Sequence, residues 1–211
     1  MKHKILYRSL RKRDYEALAD IIVSTWGFDE FVNSKSAKRH LGLGYIYDCL
    51  IYNDYSCIAE VDGNTAGIII GADYGRKCIN MKFLIMKIYH SVMLRISSGF
   101  KTSEKNILNA YGKVMQEMDK SYPQKGNAEI RLFIVDSRYR GMGLGSRMFR
   151  HLNSWFSKNH IASYYVHTDN VCNYRFYEKH GMKLICERKT DISYAGVENV
   201  EMFLYSKEKI R

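Results

Sequence analysis

A run of β-type apolar residues that ends in a glycine-rich turn and leads directly into a helical pattern constrains this chain more than any other feature. The run contains Ile130, Leu132, Phe133 and Ile134, and glycines stand at positions 141, 143 and 145. Apolar residues then recur at helical spacing: Leu144, Met148, Phe149, Leu152, Trp155 and Phe156. This order predicts an α/β unit in which the helix packs on a sheet.

The turn suits a phosphate group. A helix N-terminus presents backbone N–H groups that lack an acceptor within the helix, and its dipole favours negative charge. The three glycines supply φ freedom and, without Cβ atoms, let a diphosphate approach the main chain. Four arginines crowd the segment, and the last two are expected to be available for phosphate: Arg138, Arg140, Arg147 and Arg150.

The spacing excludes two common nucleotide loops. A Rossmann loop needs Gly-x-Gly-x-x-Gly, whereas Ser146 and Arg147 follow Gly145, and residues 158–162 lack its acidic ribose partner. A P-loop needs Gly-Lys-Ser/Thr, which does not follow the glycines. On these residues alone the segment is either a phosphate site of another kind or only a turn.

A second segment, Asn170–Met182, reads Asn-Val-Cys-Asn-Tyr-Arg-Phe-Tyr-Glu-Lys-His-Gly-Met. Together with the turn it resembles the GNAT family of N-acetyltransferases, whose signatures are Gln/Arg-x-x-Gly-x-Gly/Ala and a closing aromatic-Tyr-Glu-Lys-x-Gly-Phe. The resemblance is specific within residues 128–182 and extends, in order of elements, over about residues 5–206. Ser137 replaces a common proline and Met182 a common phenylalanine, and neither change removes a reacting group.

The resemblance implies one domain over residues 1–211 with an α/β (α+β) architecture, the acyl-CoA N-acyltransferase fold. Its single mixed, mostly antiparallel central sheet would be flanked by helices. Strands are predicted at 4–9, 55–61, 65–72, 128–135, 163–168, 182–188 and 200–205, and helices from 14 to about 25 and at 36–52, 143–158 and 171–180.

Residues 74–127 depart from the family and predict a helical insertion between the third and fourth strands. Its second half is amphipathic by spacing, from Ile107 to Met118. Its first half, Met81–Ile96, is apolar nearly all round, so we expect it to be buried or to line a cavity. The insertion would serve either as extra core or as part of a substrate channel.

The resemblance implies acetyl-CoA as cosubstrate and direct transfer of the acetyl group to a primary amine in a ternary complex. Backbone groups of Phe133 to Val135, where the strand splays from its neighbour, would hold the acyl-pantetheine arm and polarise the carbonyl. The cofactor-binding positions carried over are Phe133, Ile134, Val135, Arg140, Gly141, Met142, Gly143, Leu144, Gly145, Ser146, Asn170, Asn173 and Tyr177.

Proton transfer is assigned to two candidate catalytic residues. Tyr177 falls on the family's general-acid position, and a phenol holds its proton at neutral pH until a thiolate leaves. Glu129 stands at the offset of the glutamate base in histone-acetylating members, and a partly apolar cleft would raise its pKa. His167 is the alternative base, and water is a third acceptor.

The amine itself is not specified by the sequence. The resemblance places an acceptor wall in the loop with Trp26, Phe28, Asp29, Glu30 and Phe31, whose acidic pair would suit a cationic amine.

Composition limits the other functions. Five cysteines (Cys49, Cys57, Cys78, Cys172 and Cys186) lack Cys-x-x-Cys spacing, so we expect neither a disulfide framework nor a metal site. The net charge of +11 suits a polyanion or a charged cofactor, but no nucleic-acid motif is present. Lys82, Lys87, His90 and Arg95 interrupt the longest apolar stretch, and no signal peptide is recognised.

These features predict a soluble, cytoplasmic protein with no membrane partner, and they leave a homodimer open. The competing function is a non-catalytic module on the same fold. Such a module would bind CoA as a sensor, or would bind a nucleic acid or another partner through its basic surface.

Overall fold

The computed structural model describes residues 3–28, 32, 34–52, 54–76, 78–97, 102–122 and 126–208, with the backbone alone at 102–105. The strands are β1 Ile5–Arg8, β2 Tyr55–Val61, β3 Asn64–Asp73, β4 Ala128–Val135, β5 Ser163–Asp169, β6 Lys183–Lys189 and β7 Glu201–Glu208. The helices are α1 Tyr15–Thr25, α2 Lys35–Leu50, α3 Met81–Ile96, α4 Thr102–Ser121, α5 Leu144–Lys158 and α6 Arg175–Lys179. The described strands form one seven-stranded sheet in the order β1-β2-β3-β4-β5-β7-β6.

The sheet is mixed and mostly antiparallel, as the sequence predicted, and its one parallel pair opens into a cleft. β4 and β5 are paired only at Ala128 with Tyr164 and at Glu129 with Tyr165. Beyond these residues β4 continues to pair with β3 but separates from β5. The predicted splay is therefore present, and the β4 edge that faces β5 keeps main-chain groups outside the ladder.

Helices cover both faces of the sheet. α1 and α2 pack on one face around Leu18, Ile22 and Ile46, and α5 packs on the other face through Met148 and Leu152. The approach of α5 requires a glycine in β3, because a Cβ on Gly71 would lie 2.6 Å from a methyl group of Leu152. α4 covers the β5–β7 side, where Met118 is fully buried. These packed helices hold the cleft edges in place.

The predicted element boundaries hold closely except in α6. The sequence predicted a helix over 171–180, but α6 begins at Arg175. The Asp169 carboxylate accepts hydrogen bonds from the N–H groups of Val171 and Cys172, at 3.0 and 3.1 Å. This side-chain-bonded turn replaces the first helical turn. Gly181 ends the element with φ of 77°, as predicted.

The expectation that Met81–Ile96 is buried or lines a cavity was wrong for most of that segment. α3 packs on α2, and within it only His90 and Leu94 are buried. The other side of α3 is exposed, because a helix added outside another helix covers one face only. None of the α3 residues lines the cleft. In the described part of the chain no helix is both long and apolar enough to cross a membrane.

Candidate active site

A cavity of about 700 Å³ occupies the cleft between β4 and β5. Its walls come from the second half of β4, the glycine turn, the end of β5, the α6 segment, α4 and the residues that follow α1. The wall residues on which the site depends are Arg131, Phe133, Arg140, Gly143, His167, Asp169, Cys172, Tyr177 and Tyr194. Elements distant in sequence thus contribute to one chamber of a size typical of ligand sites.

The glycine turn has the geometry of an anion cradle. Gly141 and Gly143 have φ of 81° and 74°, which side chains rarely tolerate, and a Cβ at either would meet no atom within 4 Å. Gly143 is the left-handed cap residue of α5, so the first N–H groups of the helix follow directly. The turn is fixed by Asp136, which accepts from the Arg138 N–H at 2.9 Å.

The arginines near the turn have different roles. Arg140 lines the cavity. Arg138 instead pairs with Asp136 at 2.6 Å, and its hydrogen bonds lower the pKa of that carboxyl group. Arg147 and Arg150 do not line the cavity, which corrects the expectation that both are available for phosphate there. Arg147 lies against the Tyr7 hydroxyl group.

Most of the residues carried over as cofactor contacts line this one cavity: Phe133, Ile134, Val135, Arg140, Gly141, Gly143, Leu144, Gly145, Ser146, Asn173 and Tyr177. Two do not. Met142 packs on the hydrophobic cluster of α5. The side chain of Asn170 accepts a hydrogen bond from the Glu201 N–H at 3.1 Å, so it joins the end of β5 to β7 instead of facing the cavity.

Tyr177 is held at the cavity wall by a packed aromatic group. It is 7% exposed, and its ring lies 6.5 Å from Phe133 and 5.9 Å from Tyr205, centroid to centroid. His180 connects this helix to α5, with Nε2 3.1 Å from the Ser146 hydroxyl oxygen. Burial raises the pKa of Tyr177, so the phenol keeps its proton at neutral pH.

Glu129 lies behind the cavity wall and does not itself line it. It is buried, accepts a hydrogen bond from the Tyr74 hydroxyl group and lies 3.4 Å from an Arg131 guanidinium nitrogen. Burial alone would raise the pKa of Glu129, but His167, Arg131 and Tyr74 together lower it. The expected rise in its pKa was therefore wrong, because neighbouring donors and cations outweigh desolvation.

The ring of His167 lines the cavity at this point, and both of its ring nitrogens are buried. Its Nδ1 lies 3.7 Å from Glu129 Oε1 and its Nε2 lies 3.2 Å from Asp119 Oδ1 on α4. Burial lowers the pKa of His167, but the two carboxylates outweigh burial, and the net pKa is raised above its usual value. The imidazole is therefore a stronger base than a free histidine.

Asp169, Tyr111 and Tyr194 form an aromatic chamber in the cavity wall. The hydroxyl groups of Tyr111 and Tyr194 both donate to Asp169 Oδ2, at 2.8 and 2.5 Å. Asp169 is 3% exposed, and no lysine, arginine or histidine pairs with it among the residues that the structure describes. Trp26 and Phe28 line the same cavity, whereas Asp29, Glu30 and Phe31 lie outside the described residues.

Sequence reasoning missed the Asp169 chamber and Cys172. A carboxylate at the end of a cleft strand was the only signal for Asp169, since Tyr111 and Tyr194 come from distant segments. Cys172 accepts a hydrogen bond from Trp26 Nε1 at 3.4 Å, and burial raises the pKa of its thiol to about 12. The sulfur is thus protonated at neutral pH and is a poor nucleophile.

Comparison with known proteins identifies a family and a fold. Residues 16–182 match the model of the Acetyltransferase (GNAT) family. No match is found among curated protein sequences. Ard1 from Thermoplasma volcanium has a similar structure, with 15% identity, a TM-score of 0.56 and 98% of this chain and 99% of that chain covered.

Two further solved structures share the fold. A variant of agmatine N-acetyltransferase has 10% identity and a TM-score of 0.61, with 97% of this chain and 99% of that chain covered. The Drosophila melanogaster polyamine N-acetyltransferase, which catalyses the formation of N-acetylagmatine, has 11% identity and a TM-score of 0.58, with coverage of 98% and 100%. At these identities the likeness establishes the fold alone.

Proposed function

Because the chain belongs to the Acetyltransferase (GNAT) family, we propose that it is an N-acetyltransferase that transfers the acetyl group of acetyl-CoA to a primary amine. The amine attacks the thioester directly in a ternary complex. The observation that carries the proposal is the single cavity that joins the glycine turn, the open edge of β4, Tyr177 and His167. One chamber therefore offers an anion cradle, main-chain donors, an acid and a base.

The cosubstrate would bind along the glycine turn and the β4 edge. Gly141 and Gly143 leave room for a diphosphate at the N-terminus of α5, and Arg140 adds positive charge. The separated edge of β4 offers N–H and C=O groups to the amide-rich pantetheine arm. A β4 N–H group would stabilise the oxyanion that forms when the amine attacks the thioester carbonyl.

Tyr177 and His167 would move the two protons of the reaction. Neutral His167 accepts the proton that the attacking amine loses, through water and a turn of its ring, because the ring lines the cavity but both ring nitrogens are buried beside carboxylates. Glu129 does not line the cavity. Tyr177 donates its proton to the departing CoA thiolate. Glu129 and Asp119 act through His167, because each lies within 4 Å of a ring nitrogen. The protonated Cys172 thiol supports direct attack without an acyl-cysteine intermediate.

The acceptor is proposed to be a cationic amine. Asp169 supplies a buried carboxylate, and Tyr111 and Tyr194 direct their hydroxyl groups to it. A hydroxyl group that donates to a carboxylate becomes a better acceptor, so both phenol oxygens suit an ammonium N–H. The activities named for the agmatine and polyamine enzymes of this fold are consistent with such an acceptor.

The test is acetyl-CoA turnover against diamines, agmatine, aminoglycosides, amino acids and basic peptides, measured as free thiol released. We expect turnover with at least one cationic amine and none with the matched N-acetylated compound. Binding of acetyl-CoA without turnover of any amine in the set would contradict the proposed enzymatic activity. It would favour the alternative function, a non-catalytic module that binds CoA as a sensor.

A further inference from the structure

The outer side of α3 carries an unusually apolar surface. Six large apolar side chains on it are 45–69% exposed: Met81, Ile85, Ile88, Tyr89, Val92 and Ile96. Ile79, just before the helix, is 47% exposed. Single exposed apolar residues are common, but a contiguous group usually marks an interaction site. We name these six side chains the α3 outer face.

Helical geometry places the six residues on one stripe. At about 100° per residue they fall within an arc of roughly 100°, and the helix is about 24 Å long. Exposed Arg95 borders the stripe on one side and exposed Lys82 on the other. Residues 81–96 include no aspartate or glutamate. The surface is thus an apolar strip between two basic margins.

The inner side of α3 fixes this orientation. Phe83 packs beside Tyr47 of α2, with ring centroids 6.1 Å apart, and His90 Nδ1 lies 2.8 Å from His40 Nδ1. Lys87 pairs with Asp48 at 2.5 Å. The Asn80 side chain caps the helix by accepting from the Phe83 N–H at 3.3 Å. Because these contacts use the inner side, the apolar strip cannot turn inward without losing them.

We propose that the α3 outer face binds the surface of a lipid bilayer that contains anionic phospholipids. An amphipathic helix with an apolar strip and basic margins lies in the interface with its apolar side among the acyl chains. Tyr89 is a residue type that favours this boundary. Lys82 and Arg95 would lie at headgroup level, and the net charge of +11 attracts the protein to a negative surface.

Charge also argues against a second copy of the chain as the occupant. A two-fold pairing through the strip would place Lys82 and Arg95 of both copies around one contact, and the helix has no acidic residue to pair with these four cations. The sequence expectation of no membrane partner rested on the lack of a spanning segment. A helix of 16 residues that lies in the interface does not need one.

The test is co-sedimentation of the full chain with vesicles of phosphatidylcholine, with and without phosphatidylglycerol. We expect binding to the anionic vesicles and little binding to the neutral ones. Ile85→Ser combined with Ile88→Ser leaves the charge unchanged and should weaken binding at least about tenfold through lost apolar burial. Lys82→Gln and Arg95→Gln should each weaken it about fivefold.

The matched control is Leu6→Ser combined with Leu184→Ser, two apolar residues that are 46% and 43% exposed on strands away from α3. It should bind vesicles like the wild type. Binding by the isoleucine double variant equal to that of the wild type, at an unchanged melting temperature, would overturn the proposal. So would the absence of wild-type binding, or a wild-type dimer in sedimentation that the isoleucine variant dissociates.

Discussion

Replacing Glu129 with glutamine tests whether the buried carboxylate acts through His167. The substitution removes a negative charge 3.7 Å from Nδ1 of the imidazole and keeps an oxygen for the Tyr74 hydroxyl group. Two charges at that distance interact by about 1.1 kcal/mol in water and about 4.5 kcal/mol at an effective dielectric constant of 20. At about 1.36 kcal/mol per pKa unit, this corresponds to about one to three units. The nearby Arg131 offsets part of the charge, so we expect the lower half of that range.

The sign of the effect follows from which form of His167 is active. Glu129 raises the pKa of His167, so Glu129→Gln lowers it, and the neutral base then persists to lower pH. We expect the acid limb of kcat/KM to move down by about one to two pH units. The plateau should fall modestly, because the remaining base is weaker.

The measurement is a pH profile of kcat/KM for the wild type, Glu129→Gln and Glu187→Gln, an exposed control on β6. The control should keep the wild-type profile. An unmoved acid limb in Glu129→Gln would refute the coupling to His167. A large loss of kcat/KM at neutral pH that is recovered at higher pH would instead indicate that Glu129 is the direct base.

The remaining predictions concern the binding of acetyl-CoA, Tyr177 as the general acid and a possible acyl-enzyme intermediate at Cys172. Acetyl-CoA at a hundred times its Kd should stabilise the wild type by about 2.7 kcal/mol in thermal unfolding. Gly143→Asp should abolish this stabilisation. The control Gly63→Asp, at a similar positive φ in the β2–β3 hairpin, should keep it. If both variants are stabilised by acetyl-CoA, the phosphate groups do not bind at the glycine turn. Tyr177→Phe should lower kcat by ~10²-fold or more with unchanged acetyl-CoA affinity, whereas the control Tyr174→Phe should keep the wild-type kcat. If the kcat of Tyr177→Phe equals that of the wild type, Tyr177 is a packing residue and not the general acid. Cys172→Ala should retain most turnover, and an acetylated Cys172 in quenched reactions would contradict direct attack.

The fold and the glycine turn at one end of the cavity could be predicted from the sequence because local signals specify them. Glycine spacing, a strand and an amphipathic helix occupy one continuous segment around Gly143, and the structure has the same elements within a residue or two. The mixed, mostly antiparallel sheet and the splay were predicted from the family resemblance, because no local pattern encodes the separation of β4 from β5 after Glu129.

The surroundings of His167 and Asp169 depend on contacts between distant segments, which no local sequence pattern contains. His167 is flanked by Asp119 from α4 and Glu129 from β4, and this pairing reverses the expected pKa shift of the glutamate. Likewise, Asp169 meets Tyr111 only because α4 covers the β5–β7 side of the sheet. The hydrophobic pattern also led to a wrong prediction of burial for α3, because apolar residues on every side of a helix do not show which side packs against a neighbour.

We propose that an amine and acetyl-CoA react with each other inside this cavity. The most direct measurement is a grid of initial rates in which acetyl-CoA and the best amine are both varied, with the product identified by mass spectrometry. We expect an amine that gains one acetyl group and rate plots that intersect, as a ternary complex requires. We also expect turnover to fall sharply in His167→Gln. Parallel plots with an acetylated enzyme, or bound acetyl-CoA that acetylates no amine at any concentration, would contradict it.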